Sequence, residues 1–201
     1  MDLKNILKRI VKSIFYVKRF AVIEGPLDDP IPVPDPPQDI SIRYGTHDDW
    51  GMLRPFLAEA YGEGPLERFR SWIEGDFMTC LLGLRDGKLV YNSWIAFEDY
   101  YDDYFELTVK VESHQAFAIA GYTPPGLRGK GMHGATHARL LLAAKEKGRR
   151  CVCWYMAGDV YRKAMASYER YGFRQDVVGT AYYLRLFGTK RLLVRRNGGV
   201  L

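Results

Sequence analysis

The stretch richest in chemistry is Tyr122-Thr-Pro-Pro-Gly-Leu-Arg-Gly-Lys-Gly-Met-His-Gly134. It lies between an apolar run, Gln115–Thr123, and a helix-periodic segment, Gly134–Lys147. Glycines let the backbone take positive φ and approach a ligand closely. The N-terminus of the following helix adds partial positive charge, and Arg128 and Lys130 add full charges. A turn of this kind can cradle a pyrophosphate; it can also be only a tight connection. It is not the common nucleotide loop, because Lys130 is followed by Gly131 rather than Ser or Thr. Nor is it a dinucleotide fingerprint, because no Gly-x-Gly-x-x-Gly follows the first strand.

The elements around this stretch alternate in type. Ile40–Tyr44 reads as a strand. A helix from His47 to about Tyr61, capped by Thr46 or Asp48, and a short helix over Pro65–Glu74 follow. Asp86-Gly87 is a strong hairpin signal between strands Phe77–Arg85 and Lys88–Phe97. Glu98–Glu106 is acidic and rich in tyrosine; it could collect a cationic ligand, act as a lid or be a solvated hairpin loop. Phe105–Glu112 and Gln115–Thr123 read as strands. After the helix over Gly134–Lys147, closed by Gly148, come a buried strand Cys151–Met156, a helix Val160–Tyr171 ended by Gly172, and one or two strands within Val177–Phe187.

The chain of 201 residues carries a net charge of +5, and residues 1–23 hold all of the excess, with six basic side chains against Asp2. The remainder is charge-balanced, so nucleic acid is not an expected partner. Residues 3–17 read as an amphipathic helix, with Leu3, Ile6, Leu7, Ile10, Val11, Ile14 and Val17 on one face. Pro26–Pro37 holds six prolines and reads as an extended spacer. The expected organisation is therefore an arm and linker over 1–40 and a folded domain over 41–201. Residues 3–20 could dock on the domain or on a second copy in a homodimer, lie on an anionic membrane surface, or stay solvated. The interspersed charges do not form a signal peptide. Three cysteines, Cys80, Cys151 and Cys153, have no metal-ligand spacing and read as reduced, packed thiols. The expected location is cytoplasmic, with the arm able to hold the protein at the inner face of the membrane. His133 and His137 lie one helical turn apart without a third ligand at a zinc-type spacing, and no metal is expected.

Pro125-Gly-Leu-Arg-Gly-Lys-Gly-Met-His133 resembles the acyl-CoA pyrophosphate loop of the GNAT acyltransferase superfamily, whose pattern is Arg/Gln-x-x-Gly-x-Gly/Ala. Arg128 and Gly131 match; His133 stands where glycine or alanine is usual. Downstream, Ala164-Met-Ala-Ser-Tyr168-Glu-Arg-Tyr-Gly172-Phe173 is similar to the family's Ala-x-x-x-Tyr-Glu-Lys-x-Gly-Phe. The family's Asn seven residues before that tyrosine is Tyr161 here. The resemblance covers roughly residues 41–187. It implies an α/β fold with one mixed, strongly twisted central sheet of six to seven strands, helices on both faces, and a cleft where two neighbouring strands splay. It also implies an N-acetyltransferase that moves an acetyl or similar acyl group from acetyl-CoA, a co-substrate, to an amine acceptor by direct attack in a ternary complex. The cofactor would be held by Gly121, Tyr122, Thr123, Arg128, Gly129, Lys130, Gly131, Met132, His133 and Gly134. Tyr168 would be the general acid that protonates the departing thiolate. Glu98 and His114 are candidates for the general base, and a water relay is the alternative. Trp154 and Tyr155 are expected as core or pocket wall. A different class of function also fits: a non-catalytic acyl-CoA sensor, or an interaction module anchored to a membrane or partner.

Overall fold

The computed structural model describes residues 14–27, 30–75, 77–129, 131–157, 168–169, 172–186 and 189–197. Its strands are β1 (Phe15–Pro26), β2 (Ser41–Tyr44), β3 (Met78–Arg85), β4 (Lys88–Ala96), β5 (Tyr100–Asp102), β6 (Leu107–Val109), β7 (Gln115–Tyr122), β8 (Cys151–Ala157), β9 (Arg174–Leu186) and β10 (Thr189–Asn197). Its α-helices are α1 (Trp50–Tyr61), α2 (Leu66–Glu74) and α3 (Met132–Glu146). The chain forms two compact units, residues 25–154 and residues 1–24 with 155–201.

In the larger unit the strand order is β8-β7-β4-β3-β2. Every neighbouring pair is antiparallel except β7 with β8, so the sheet is mixed. The β3–β4 hairpin turns through Asp86 and Gly87 at φ 49° and 71°. Positive φ at both central residues is the turn whose twist matches the flanking strands. Both faces of β4 are covered. Trp94 is fully buried against Phe69 and Trp72 of α2, each at a ring separation of 5.8 Å. Tyr91 is three residues away on the opposite face and meets His133 of α3. The mixed α/β sheet with helices on both faces is the architecture the loop resemblance implied.

The approach to α1 is held locally. Thr46 and Asp49 form a reciprocal capping box around the short 3-10 turn before the helix. Both Nη groups of Arg43 donate to the Asp49 carboxylate, at 2.7 and 2.5 Å. That pairing and the Thr46 bonds hold the Asp49 carboxyl down at about 2. At the other end of the unit, α3 closes on Gly148 at φ 72°, as expected. The three cysteines are buried and form no disulfide.

The smaller unit differs from the expectation at its N-terminal segment. The anticipated helix over 3–17 falls on residues 1–13, which lie outside the described residues, and on a final stretch that is strand. β1 pairs antiparallel with β9 from Phe15↔Leu184 to Glu24↔Arg174. Residues 15–19 alternate exposed and half-buried, a period of two rather than 3.6. Tyr16 stacks on Tyr183 at 4.4 Å with the rings nearly parallel, and the Lys18 ammonium lies 5.1 Å from the Tyr183 ring centroid. Aromatic and β-branched residues favour the half-buried strand surface, and the pairing available on β9 overrides the helical periodicity. Residues 15–26 are therefore built into a sheet, so the stretch before residue 40 is more than helix and spacer. β9 runs Arg174–Leu186, starting before the expected Val177–Phe187, and pairs with β10, Thr189–Asn197, which the sequence did not delimit. The helix expected over Val160–Tyr171 lies mostly outside the described residues. No helix among the described residues is long and apolar enough to cross a membrane.

Trp94→Ala should cost about 3–5 kcal/mol of stability, because it empties a site that α2 cannot collapse to fill. A urea midpoint unchanged from wild type would contradict that packing.

Candidate functional site

β7 and β8 share three register pairs, from Gln115↔Cys151 to Phe117↔Cys153. β7 then continues to Tyr122 with only β4 beside it, and no further β7–β8 pair occurs among the described residues. The two strands part at this point, as the expected splay requires. The opposite edge of β7 is irregular. Asn92 pairs with Tyr122, and Trp94 pairs with Ile119. Two steps along β4 therefore face three along β7, a bulge with the extra residue on β7. Ala120 sits in it at φ 47°, a conformation that L-residues other than glycine rarely adopt. The fully buried Asn92 donates from Nδ2 to the Ala120 carbonyl at 3.2 Å.

The chain leaves β7 through Thr123 into a 3-10 turn, Pro125–Leu127. Arg128 donates from Nε to the Thr123 carbonyl at 3.0 Å, which ties the loop back to the strand end. No carboxylate pairs with Arg128 among the described residues. Gly129 and Gly131 take φ 77° and 79°, and Gly131 is the N-cap of α3. A helix's first amides have no carbonyl one turn back to donate to, so they are offered to the loop. Lys130 lies outside the described residues. Met132 is buried, while Gly134 and His133 are half-buried.

His133 points into the body of the unit. Its Nδ1 lies 3.2 Å from the Tyr91 hydroxyl. Its ring stacks at 5.7 Å on His137, which stacks at 5.3 Å on Trp154. Burial pushes the His133 imidazole down to about 4. It pushes His137 well below the ordinary histidine value, and the neighbouring imidazole adds to that. Gly121 passes over this group: a Cβ there would lie 3.4 Å from Ser93 Oγ, 3.5 Å from Tyr91 Oη and 3.8 Å from Trp154. On the other face, Tyr122 meets Phe56 and Tyr61 of α1 at ring separations of 5.4 and 6.0 Å.

No family model matches the chain, and no curated protein does. Solved structures do match. A Drosophila protein is 18% identical with a TM-score of 0.63, over 94% of this chain and 60% of its own length. A GCN5-related N-acetyltransferase from Sphaerobacter thermophilus is 18% identical with a TM-score of 0.61, over 98% of this chain and 58% of its own. A GNAT-family acetyltransferase from Novosphingobium aromaticivorans is 19% identical with a TM-score of 0.58, over 82% and 63%. The fold is that of the GCN5-related N-acetyltransferases. This chain spans about three fifths of the length of the first two.

Within this GNAT fold residues 121–129 and 131–134, the described part of the expected loop, run from the end of β7 into the start of α3. His133 fits in place of a small residue because Tyr91, His137 and Trp154 take up its ring. Trp154 is buried and packs on both imidazoles. The two base candidates are elsewhere. His114 precedes β7, and its carbonyl accepts from the amides of Arg150 and Cys151 at 2.8 and 3.3 Å. Glu98 is exposed just beyond the end of β4, near the position paired with Phe117. Both stand at the opposite end of the β4–β7 pair from Tyr122, about 20–25 Å away at strand spacing. The acidic stretch shares that end. It forms the β5–β6 hairpin, with Tyr100 and Phe105 buried, and Arg68 of α2 pairs with Asp103 and lies over the Tyr101 ring. Tyr168, in the smaller unit, is 3% exposed and packs edge-on against Phe173 at 5.6 Å. Its carbonyl accepts from the Phe173 amide at 3.2 Å, and Gly172 takes φ 77°.

Sequence reading passed over Tyr91, Asn92 and Ser93, all fully buried at the bulge. The available signal was two adjacent polar residues, Asn92-Ser93, inside an otherwise apolar strand.

The neutral imidazoles carry a pH prediction. Unfolding returns them to about 6.5, so below that pH the unfolded chain binds protons that the folded chain does not. Stability is complete above about 6.5 and declines as pH falls toward 4, with His133 alone contributing at most about 3 kcal/mol of the loss. The Asp49 carboxylate acts in a lower window, below its unfolded value of 3.8. Urea midpoints measured from pH 7.5 to 4.5 should fall steadily, and a flat profile would contradict the burial of the pair.

Proposed function

We propose that this protein is a CoA-dependent N-acyltransferase that moves an acetyl or similar acyl group from acyl-CoA to an amine. The observation that supports it most is the parting of β7 from β8 directly before a glycine loop that opens a helix. The edge of β7 from Ala118 to Tyr122 can pair with the amides of a pantetheine arm as an absent strand would. The loop amides, Arg128 and Lys130 suit the pyrophosphate. Backbone donors at the bulge and strand end, around Gly121–Thr123, would polarise the thioester carbonyl and hold the oxyanion that develops on it. The amine nitrogen bonds to the carbonyl carbon, the carbon–sulfur bond breaks, and the thiolate takes the proton of the Tyr168 hydroxyl. A tyrosine has an ordinary value near 10, a suitable acid for a thiolate. With Glu98 and His114 at the far end of the strands, the amine loses its proton to water rather than to either of them.

The same remoteness favours a second reading, an acyl-CoA-binding module without turnover. Release of free thiol across a panel of amine acceptors separates the two.

Calorimetry should detect acetyl-CoA binding in the micromolar range, and Arg128→Glu or Gly131→Glu should abolish it. The first places an anion at the loop, and the second adds strain at φ 79° as well. Undetectable binding by the wild-type protein would overturn the proposal. Tyr168→Phe should lower turnover at least tenfold and leave acetyl-CoA affinity within about threefold; unchanged turnover would remove it as the acid.

A further inference from the structure

Ala120 is one of only three non-glycine residues at positive φ among the described residues, and the others, Asp86 and Glu106, lie in hairpin turns. Ala120 instead lies inside a strand, where a left-handed alanine costs free energy that its surroundings must supply. In an unbulged ladder its carbonyl would point at β4 or away from it as part of the regular pairing. Here the carbonyl is captured by a side chain, Nδ2 of Asn92, at 3.2 Å. The orientation of that amide is set by chemistry: only the NH2 end can face a carbonyl oxygen.

Asn92 is a poor choice for stability alone. It is fully inaccessible, and its Oδ1 is buried with no hydrogen-bond partner among the described residues. A buried acceptor left unmade is unfavourable, and an apolar residue of similar size would avoid it. Its neighbours on that face are apolar or aromatic. Tyr122 is its register partner, and Trp94 is next on the same side of β4.

We infer that Asn92 is a positioning residue: its side-chain amide clamps the Ala120 bulge and thereby sets the direction of the Gly121–Thr123 backbone at the mouth of the cleft. The inference rests on the acyl-CoA reading of that cleft. Without the clamp, Ala120 relaxes toward negative φ, the bulge shifts along β7, and the peptide groups beyond it turn. A one-residue shift in a strand reverses the side to which its groups point. The strand end then no longer matches an extended ligand laid along it.

Glycine takes positive φ without strain, so Ala120→Gly should make the clamp dispensable. Acetyl-CoA is the probe, with affinity read by calorimetry and folding read by thermal denaturation. Asn92→Leu should weaken acetyl-CoA binding about tenfold while leaving the melting temperature unchanged or raised. Asn92→Leu with Ala120→Gly should return affinity to within about threefold of wild type. Asn92→Ala, alone and with Ala120→Gly, gives the same comparison if leucine does not fit. Affinity unchanged on loss of Asn92, or a loss that Ala120→Gly does not recover, would overturn the clamp. Absence of binding by the wild-type protein would instead overturn the acyl-CoA reading, so the two failures are separate.

Discussion

Beyond Phe117 and Cys153, β7 loses the partner that β8 provides over its first three residues, while β4 keeps hold of its other edge. Backbone amides and carbonyls in such a place cannot be left unmade inside a protein without a cost comparable to a lost hydrogen bond. They need water or a ligand that can act as a strand. Much else in the larger unit serves this gap. α1 and α2 cover one face of β4 and α3 covers the other, so the strand end is held from both sides. The glycine loop begins where the strand stops, and Arg128 fastens it to Thr123. A flexible connection would lose the alignment between the strand edge and the first turn of α3.

Polar groups lie unusually deep around that strand end. Asn92 and Ser93 are fully buried in the middle of β4, and Tyr91 beside them reaches His133. Their division between faces follows the pleat. Tyr91 and Ser93 turn to α3 with the imidazoles and Trp154, while Asn92 turns to the side of Tyr122 and Trp94. The α3 side is a stacked cluster in which both histidines remain neutral at ordinary pH. The other side carries the clamp on the bulge. A strand built for stability alone would fill these positions with aliphatic residues, as β4 does at Ile95 and Ala96.

Features decided by neighbours in the chain were legible in the sequence. The Asp86-Gly87 hairpin, a cap at Thr46, the glycine that ends α3 and the positive φ of Gly129 and Gly131 all depend on φ preferences or on bonds within a few residues. The two motifs in order led to the GNAT fold, and the mixed sheet bears that out. Features decided by pairing between distant segments were not legible. The helical stripe was read through Val17, yet β9 offers Phe15–Glu24 a long antiparallel ladder with one register shift after Val22. Glu98 and His114 have acid–base chemistry and flank β4 and β7. The register of β4 on β7 puts them at the end away from Tyr122, and a register is a property of two strands rather than one.

The amino-acid sequence by itself determined the local conformations: where the chain turns, where α3 stops, and where glycine frees the backbone for positive φ. It did so because glycine, proline and capping side chains act over one to four residues. Only the tertiary structure decided where β7 leaves β8, that the extra residue at Ala120 falls opposite Asn92, and which charged side chains stand clear of the cleft. Those outcomes come from the competition of whole strands for partners, and no single segment contains the information.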